Sequence, residues 1–303
     1  MTKNRFITTL ILCFILALTT ISSERIYAQG ETSSTNNLKI PDPNYIQILT
    51  TADGSTLIGR IVEIRETEIQ FETDLGKLTI PILKIIEIKE VPLSLIKEGK
   101  YWFPNPNATR LFFASTGRSL KKGNWYFADY YLFFPMFAYG ITDNITIGGG
   151  VSLFPWLDID ENILYFTPKV GLISRDNFSF STGVLIINLP SFFDEELQSV
   201  GILYGVGTLG STDASFTAGL GFGFVDTDIA DEPMVMLGGE VRTARNMSLV
   251  TENWMLPGVD QPLISYGLRL FGERLSVDLA FITTIGEGMF FPGIPYIDFV
   301  YNF

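Results

Sequence analysis

Phe216-Thr217-Ala218-Gly219-Leu220-Gly221-Phe222-Gly223-Phe224 decides the fold. Phe216, Ala218, Leu220, Phe222 and Phe224 share one face of an extended chain, and Thr217, Gly219, Gly221 and Gly223 share the other. Period two means a β-strand with two unlike faces. A soluble barrel points its large apolar face inward and needs a polar exterior, for which Gly and Thr are a thin coat. Large apolar residues outward and small or polar residues inward is the pattern of a transmembrane barrel. The pattern recurs. Leu275, Val277, Leu279 and Phe281 alternate with Ser276, Asp278 and Ala280, and Ile145, Ile147, Val151 and Leu153 alternate with Thr146, Gly148, Gly150 and Ser152.

The connections point the same way. Tight turns fall at 142–144, 175–177, 211–213, 244–246 and 272–274, and longer links at 115–123, 155–162, 190–198, 226–233, 256–262 and 286–293. Short periplasmic turns alternating with long outer loops are expected of an outer-membrane barrel. Taken from Ala108 onward, these links join about 12 antiparallel strands, within a range of 10 to 14, with both ends of the domain on the short-turn side. Ala108–Ser115 is then the first strand. Asn124–Gly140 is too long for a single span and contains Pro135, and Pro168 removes a ladder donor from another strand. At the end of the chain, Ile297, Phe299, Tyr301 and Phe303 form one apolar face, and Phe299, Tyr301 and Phe303 resemble the signal read by the outer-membrane insertion machinery.

Upstream, Lys3 and Arg5 precede an apolar run over 6–18, a polar stretch and Ala28, which is the order of a secretory signal peptide over 1–28. Residues 29–44 read as a linker. Residues 45–98 read as a small SH3-like or Sm-like β-barrel in the periplasm, with five short strands and a hairpin at Asp53-Gly54. This segment has six basic residues against nine acidic, and Tyr45 and Phe71 are its only aromatics. That composition lacks the charge and stacking surfaces of an RNA binder and suits contact with a periplasmic protein. Residues 99–107 read as a second linker and 108–303 as the membrane barrel. The fold class is therefore all-β, a small barrel followed by a transmembrane one.

Three stretches resemble a known family: Phe103-Pro104-Asn105-Pro106-Asn107-Ala108-Thr109-Arg110, Lys122-Gly123 before an aromatic strand, and Tyr139-Gly140-Ile141-Thr142-Asp143-Asn144 followed by Gly148-Gly149-Gly150. The family is an uncharacterised outer-membrane β-barrel family of the Bacteroidota with a small N-terminal β domain. The resemblance covers most of 45–303, is strongest over 103–150, and implies a location rather than a chemistry.

The 303 residues are 47% hydrophobic and carry a formal charge of −12 with no His. The acidity argues against nucleic acid as a partner. The missing His excludes the His-dependent enzymes that share this architecture. Ser119 and Lys122 match Ser-x-x-Lys but lie in a polar link without the partner motifs that chemistry needs. Asp158, Asp160, Asp226 and Asp228 are oxygen donors in acidic loops that suit weak divalent-ion binding. However, Ile163 and Lys169 stand where a calcium loop needs Gly and Glu. Inward-facing Lys169, Glu240, Arg242, Arg269 and Asp278 either pair and plug the lumen or line a narrow polar pore. No catalytic residue, cofactor or firm metal site emerges. The expectation is a non-enzymatic outer-membrane barrel, embedded in outer-membrane lipid, acting as a narrow pore or a structural surface protein. The alternative is a surface or periplasmic binding protein that uses Phe154, Trp156, Phe192, Phe193, Phe290 and Phe291 on its loops.

Overall fold

The computed structural model describes residues 38–158, 161–189, 198–285 and 291–303. The signal peptide, most of the first linker, Asp160, Phe192, Phe193 and Phe290 lie outside these. The chain divides into two compact units between Tyr101 and Trp102.

The first unit contains β1 (Tyr45–Thr51), β2 (Thr56–Ile64), β3 (Glu68–Thr73), β4 (Gly76–Pro81) and β5 (Ile85–Pro92), followed by the two-residue strands β6 (Ile96–Lys97) and β7 (Lys100–Tyr101). The first five form one antiparallel sheet in the order β4-β3-β2-β1-β5. That sheet is open, since no ladder joins β4 to β5, so the closed small barrel expected from the sequence reduces to a five-stranded sheet. Alternation places Leu49, Ile61, Ile69, Phe71, Ile80 and Ile85 on one face, where they form the core. Gln47 is fully buried among them, and its amide has partners on both sides. Its Nε2 donates to the Lys39 carbonyl at 2.9 Å, and its Oε1 accepts from the Ile61 N–H at 2.9 Å, beside the bulge in β2. At the β1–β2 turn the Thr51 hydroxyl donates to Asp53 at 2.6 Å, holding that carboxyl below its usual range.

The second unit is a closed antiparallel barrel. Its strands are β8 (Trp125–Tyr130), β9 (Phe134–Gly140), β10 (Ile145–Val151), β11 (Leu164–Phe166), β12 (Lys169–Arg175), β13 (Phe178–Leu189), β14 (Gln198–Gly210), β15 (Ala214–Val225), β16 (Asp228–Ile229), β17 (Met234–Ala244), β18 (Met247–Met255), β19 (Leu263–Phe271), β20 (Leu275–Thr284) and β21 (Ile294–Asn302). β11 and β12 form a single stave. Both pair with β10 and with β13 in one unbroken register across Pro168, and Thr167 keeps its backbone bonds to Gly148. β16 only extends the edge of β15. Twelve staves result, closed by β21 pairing with β8. At this seam Phe303 stacks on Trp125 with ring centroids 3.6 Å apart.

The count of twelve agrees with the sequence, but two staves differ. Ala108–Ser115 is not a wall strand. Asn124–Gly140 supplies two strands, β8 and β9, that reverse at Tyr131 and Leu132, both with positive φ. The link expected at 115–123 is therefore replaced by a tight turn at 131–133 on the loop side.

The wall has the polarity that the alternation predicts. Leu209, Phe216, Leu220, Val241 and Leu249 face outward and are each at least half exposed, whereas Thr208, Thr217, Ser248, Arg269 and Asp278 face inward and are at most 1% exposed. A belt of this kind around every stave exceeds the exposed apolar patches that soluble monomers tolerate. Strands of 9 to 13 residues match a tilted crossing of a bilayer core.

Glycine does not simply mark the lumen. Gly219, Gly221 and Gly223 of β15 point inward, but the neighbouring β14 runs in the opposite sense: Val200, Ile202, Tyr204 and Val206 face inward and Gly205 and Gly207 outward. The rings of Phe178 and Phe180 lie over those two outer glycines and cover the backbone that a missing side chain exposes.

Candidate functional site

Residues 102–123 enter the barrel at the short-turn rim, run up the lumen, reverse and return to β8. The reversal is a small hairpin. Leu111 N–H donates to the Ala114 carbonyl at 2.8 Å and Thr116 N–H to the Thr109 carbonyl at 2.9 Å, leaving Phe112 and Phe113 at the tip. The segment does not have the character of the linker expected over 99–107: Phe103, Asn105, Asn107, Arg110, Leu111, Phe112 and Thr116 are all buried. It fits by close approach. A side chain at Gly117 would collide with the Ser179 carbonyl of the wall, and one at Gly238 would collide with Leu111.

Charged wall residues hold the hairpin by its backbone. Arg269 is completely buried between β18 and β20. Its Nε and Nη2 donate to Asp278 at 2.8 and 2.7 Å in a bidentate pair, and Nη1 donates to Glu240 at 2.9 Å. The same guanidinium also donates to three hairpin carbonyls, Asn107 at 3.0 Å, Arg110 at 3.3 Å and Leu111 at 2.6 Å. Its donor positions are thereby filled in the planar fork that arginine presents. Glu240 also accepts from Asn105 at 2.7 Å. Glu252 accepts from the N–H groups of Phe113 and Ala114, both at 2.9 Å, and so caps the tip. On the other side Lys169 donates to the Arg118 carbonyl at 2.7 Å and lies 3.3 and 3.4 Å from those of Thr116 and Thr109. The hairpin returns one charge of its own, as Arg110 pairs with Asp298 of β21 at 2.9 Å and lies over the Tyr130 ring. At the rim Arg242 donates to the Phe103 carbonyl at 3.0 Å and pairs with Asp213 at 3.1 Å.

Thus Lys169, Glu240, Arg242, Arg269 and Asp278 all face inward, each bonded to the hairpin or to a neighbour that is. Sequence reasoning missed Asp298, Glu252 and Arg110. Asp298 was accessible from the alternation, because it sits opposite the face of Phe299 and Tyr301. Glu252 lies in Thr251-Glu252-Asn253, where nothing apolar marks a face. Arg110 was assigned to a wall strand.

Above the hairpin tip the lumen changes character. A cavity of about 460 Å³ is walled by Tyr130, Tyr204, Ile202, Met236 and Trp254 among others, and floored by Arg110 and Phe113–Ser115. The remaining sequence candidates are scattered. Among the described residues no three acidic, His or Cys side chains gather as for a metal. The Asp158 N–H donates to the Glu161 carboxylate, the Asp226 carboxylate accepts from the Ser199 N–H at the start of β14, and Asp228 lies in β16. Phe154 and Trp156 cluster with Phe133, while Phe291 is exposed. Phe299 and Tyr301 face outward on β21, and Phe303 follows its end, stacked on Trp125.

No protein-family model matches the sequence, and no curated protein matches it. Among solved structures the chain is similar to OmpTdeltaL8, a loop L8 deletion mutant of OmpT, an outer membrane protein of Vibrio cholerae. Identity is 11%, coverage is 86% of this chain and 96% of that one, and the TM-score is 0.33. Outer-membrane expressed OmpT of Vibrio cholerae matches at 12% identity over 88% of this chain and 100% of that one, with a TM-score of 0.31. At these scores the likeness carries nothing beyond itself.

Proposed function

We propose that this is an exported, non-enzymatic outer-membrane β-barrel whose short-turn half is closed by its own hairpin, residues 102–123, and which binds rather than passes small solutes. The observation that carries the reading is Arg269, which ties two wall carboxylates to three hairpin carbonyls in the short-turn half of the lumen. An open polar pore would leave such charges to water and to the permeant solute. The apolar outer belt and the signal-like N-terminus support the outer membrane as location. No helix among the described residues is long and apolar enough to cross a membrane.

Planar-bilayer recording tests this. The refolded chain is expected to insert without conductance steps, and regular steps from the intact chain would restore the pore reading. A second role is favoured by the loop aromatics. Phe133, Phe154 and Trp156 form one cluster with Trp156 63% exposed, a platform for a surface ligand. For the small unit, five antiparallel strands around one core support the SH3-like reading of a module that contacts a periplasmic protein.

A further inference from the structure

We infer that the cavity above the hairpin is a binding site for one unbranched alkyl chain, either that of a free fatty acid or the tail of a phospholipid. The inference rests on the hairpin-closed barrel proposed above. At about 460 Å³ the cavity falls within the usual size of ligand pockets, and it is enclosed mainly by apolar and aromatic groups.

Most of the polar tips in its wall are already taken. Tyr165 donates to the Pro135 carbonyl at 2.7 Å, and Trp254 Nε1 donates to Glu252 at 2.8 Å. The Tyr296 hydroxyl lies 2.5 Å from Asp298 and 2.9 Å from the Phe112 carbonyl, and Tyr204 lies 3.4 Å from Ser115 Oγ. Arg110, in the floor, is paired with Asp298. A sugar or peptide entering here would give up water and find few free partners, at a cost of roughly 1–3 kcal/mol for each group left unsatisfied. An alkyl chain loses nothing and gains burial.

The shape selects a chain over a compact ring system. Leu185, Ile187 and Leu189 on β13 and Val200, Ile202 and Tyr204 on β14 form inward columns along the strands. From Tyr204 to Val200 this is four residue steps, about 14 Å of extended strand. Room beside the columns comes from Gly219 and Gly221 of β15, and the facing Met234 and Met236 are flexible side chains that mould to an occupant. The hairpin tip ends the cavity below, so the site retains a chain.

Trp254 provides the readout. The barrel is reconstituted in nanodiscs with Trp102, Trp125 and Trp156 replaced by Phe. In one arm 11-bromoundecanoate is added from solution; in the other the nanodisc contains phosphatidylcholine with brominated acyl chains. Saturable quenching of Trp254 in either arm is expected, and the arm that responds names the source. Gly219→Phe, whose ring would project into the cavity, is expected to weaken the quenching at least about five-fold, and Gly219→Val is the milder variant if the ring prevents folding. Maltose is expected to displace nothing. The inference is overturned if neither arm quenches, or if quenching is unchanged in a folded Gly219 variant. Conductance recorded on the same preparation separates the two readings. Steps from the intact chain break the closed barrel, whereas a silent barrel without quenching breaks only the alkyl site.

Discussion

The two halves of the barrel interior are built from the same twelve staves and solve opposite problems. Towards the short turns the lumen is full: hairpin backbone, the cations Arg110, Lys169, Arg242 and Arg269, and several anionic side chains joined to them and to the hairpin by hydrogen bonds. Towards the loops it is a hollow lined with rings and aliphatic chains. The difference lies in the inward residues of each stave. Ser276 and Asp278 at one end of β20 give way to Ala280 and Ile282 towards the other, and Thr208 on β14 gives way to Val206, Tyr204 and Ile202. A polar lining needs a polar filling that meets each group, because a buried charge left unpaired is costly. An apolar lining can stay unfilled without that penalty.

The most forceful way to break this contrast is to remove the filling. Replacing residues 104–120 by a short Gly-Ser linker is expected to convert a silent barrel into one with stable conductance steps in planar bilayers, while heat-modifiable migration on gels shows that the wall has closed. Silence from that variant would mean that the supposedly hollow half is itself obstructed. Next in size, Arg269→Met strands Glu240 and Asp278 without their cation. It should cost about 3–5 kcal/mol in urea unfolding followed by tryptophan fluorescence. Adding Glu240→Gln and Asp278→Asn should recover much of the loss, and no recovery would show that the arginine stem, not the charge, matters. Glu252→Gln keeps one acceptor for the hairpin tip but loses the charge, and about 1.5 kcal/mol is expected in the same assay. The smallest effect belongs to the hollow half. Ile202→Ala should cost about 1 kcal/mol, below the 2–5 typical of a close-packed site, because its side chain already borders empty space. A loss of 4 kcal/mol there would show that the cavity is filled in the folded protein.

Much of the wall was legible because a strand between lipid and lumen must alternate. Leu275–Phe281, Phe216–Phe224 and the face of Phe299, Tyr301 and Phe303 read directly. The same rule gave Arg269, Glu240 and Asp278 their inward direction. It could not tell that these charges hold a loop of the same chain, since Asn105–Arg110 carries no period and resembles a linker. The β8–β9 reversal was hidden for a different reason. Its two left-handed residues are Tyr131 and Leu132, without the Gly or Asn that normally marks such a turn. The right total of twelve thus came from one strand too many at Ala108–Ser115 and one too few at 124–140. The inward place of small residues on β15 does not extend to β14, where Gly205 and Gly207 look outward under phenylalanine rings.

The hairpin has both feet at one rim. Its first foot, at Phe103, is held by Arg242, and its second continues directly into β8. In topological terms it is a drawer, not a thread. Neither chain end passes through the ring. The chain leading to its first foot is the small β unit. Tension on residues 38–101 therefore reaches the barrel at Arg242 first and Arg269 next, and peels the contacts one after another. A grip on that unit is a handle on the plug.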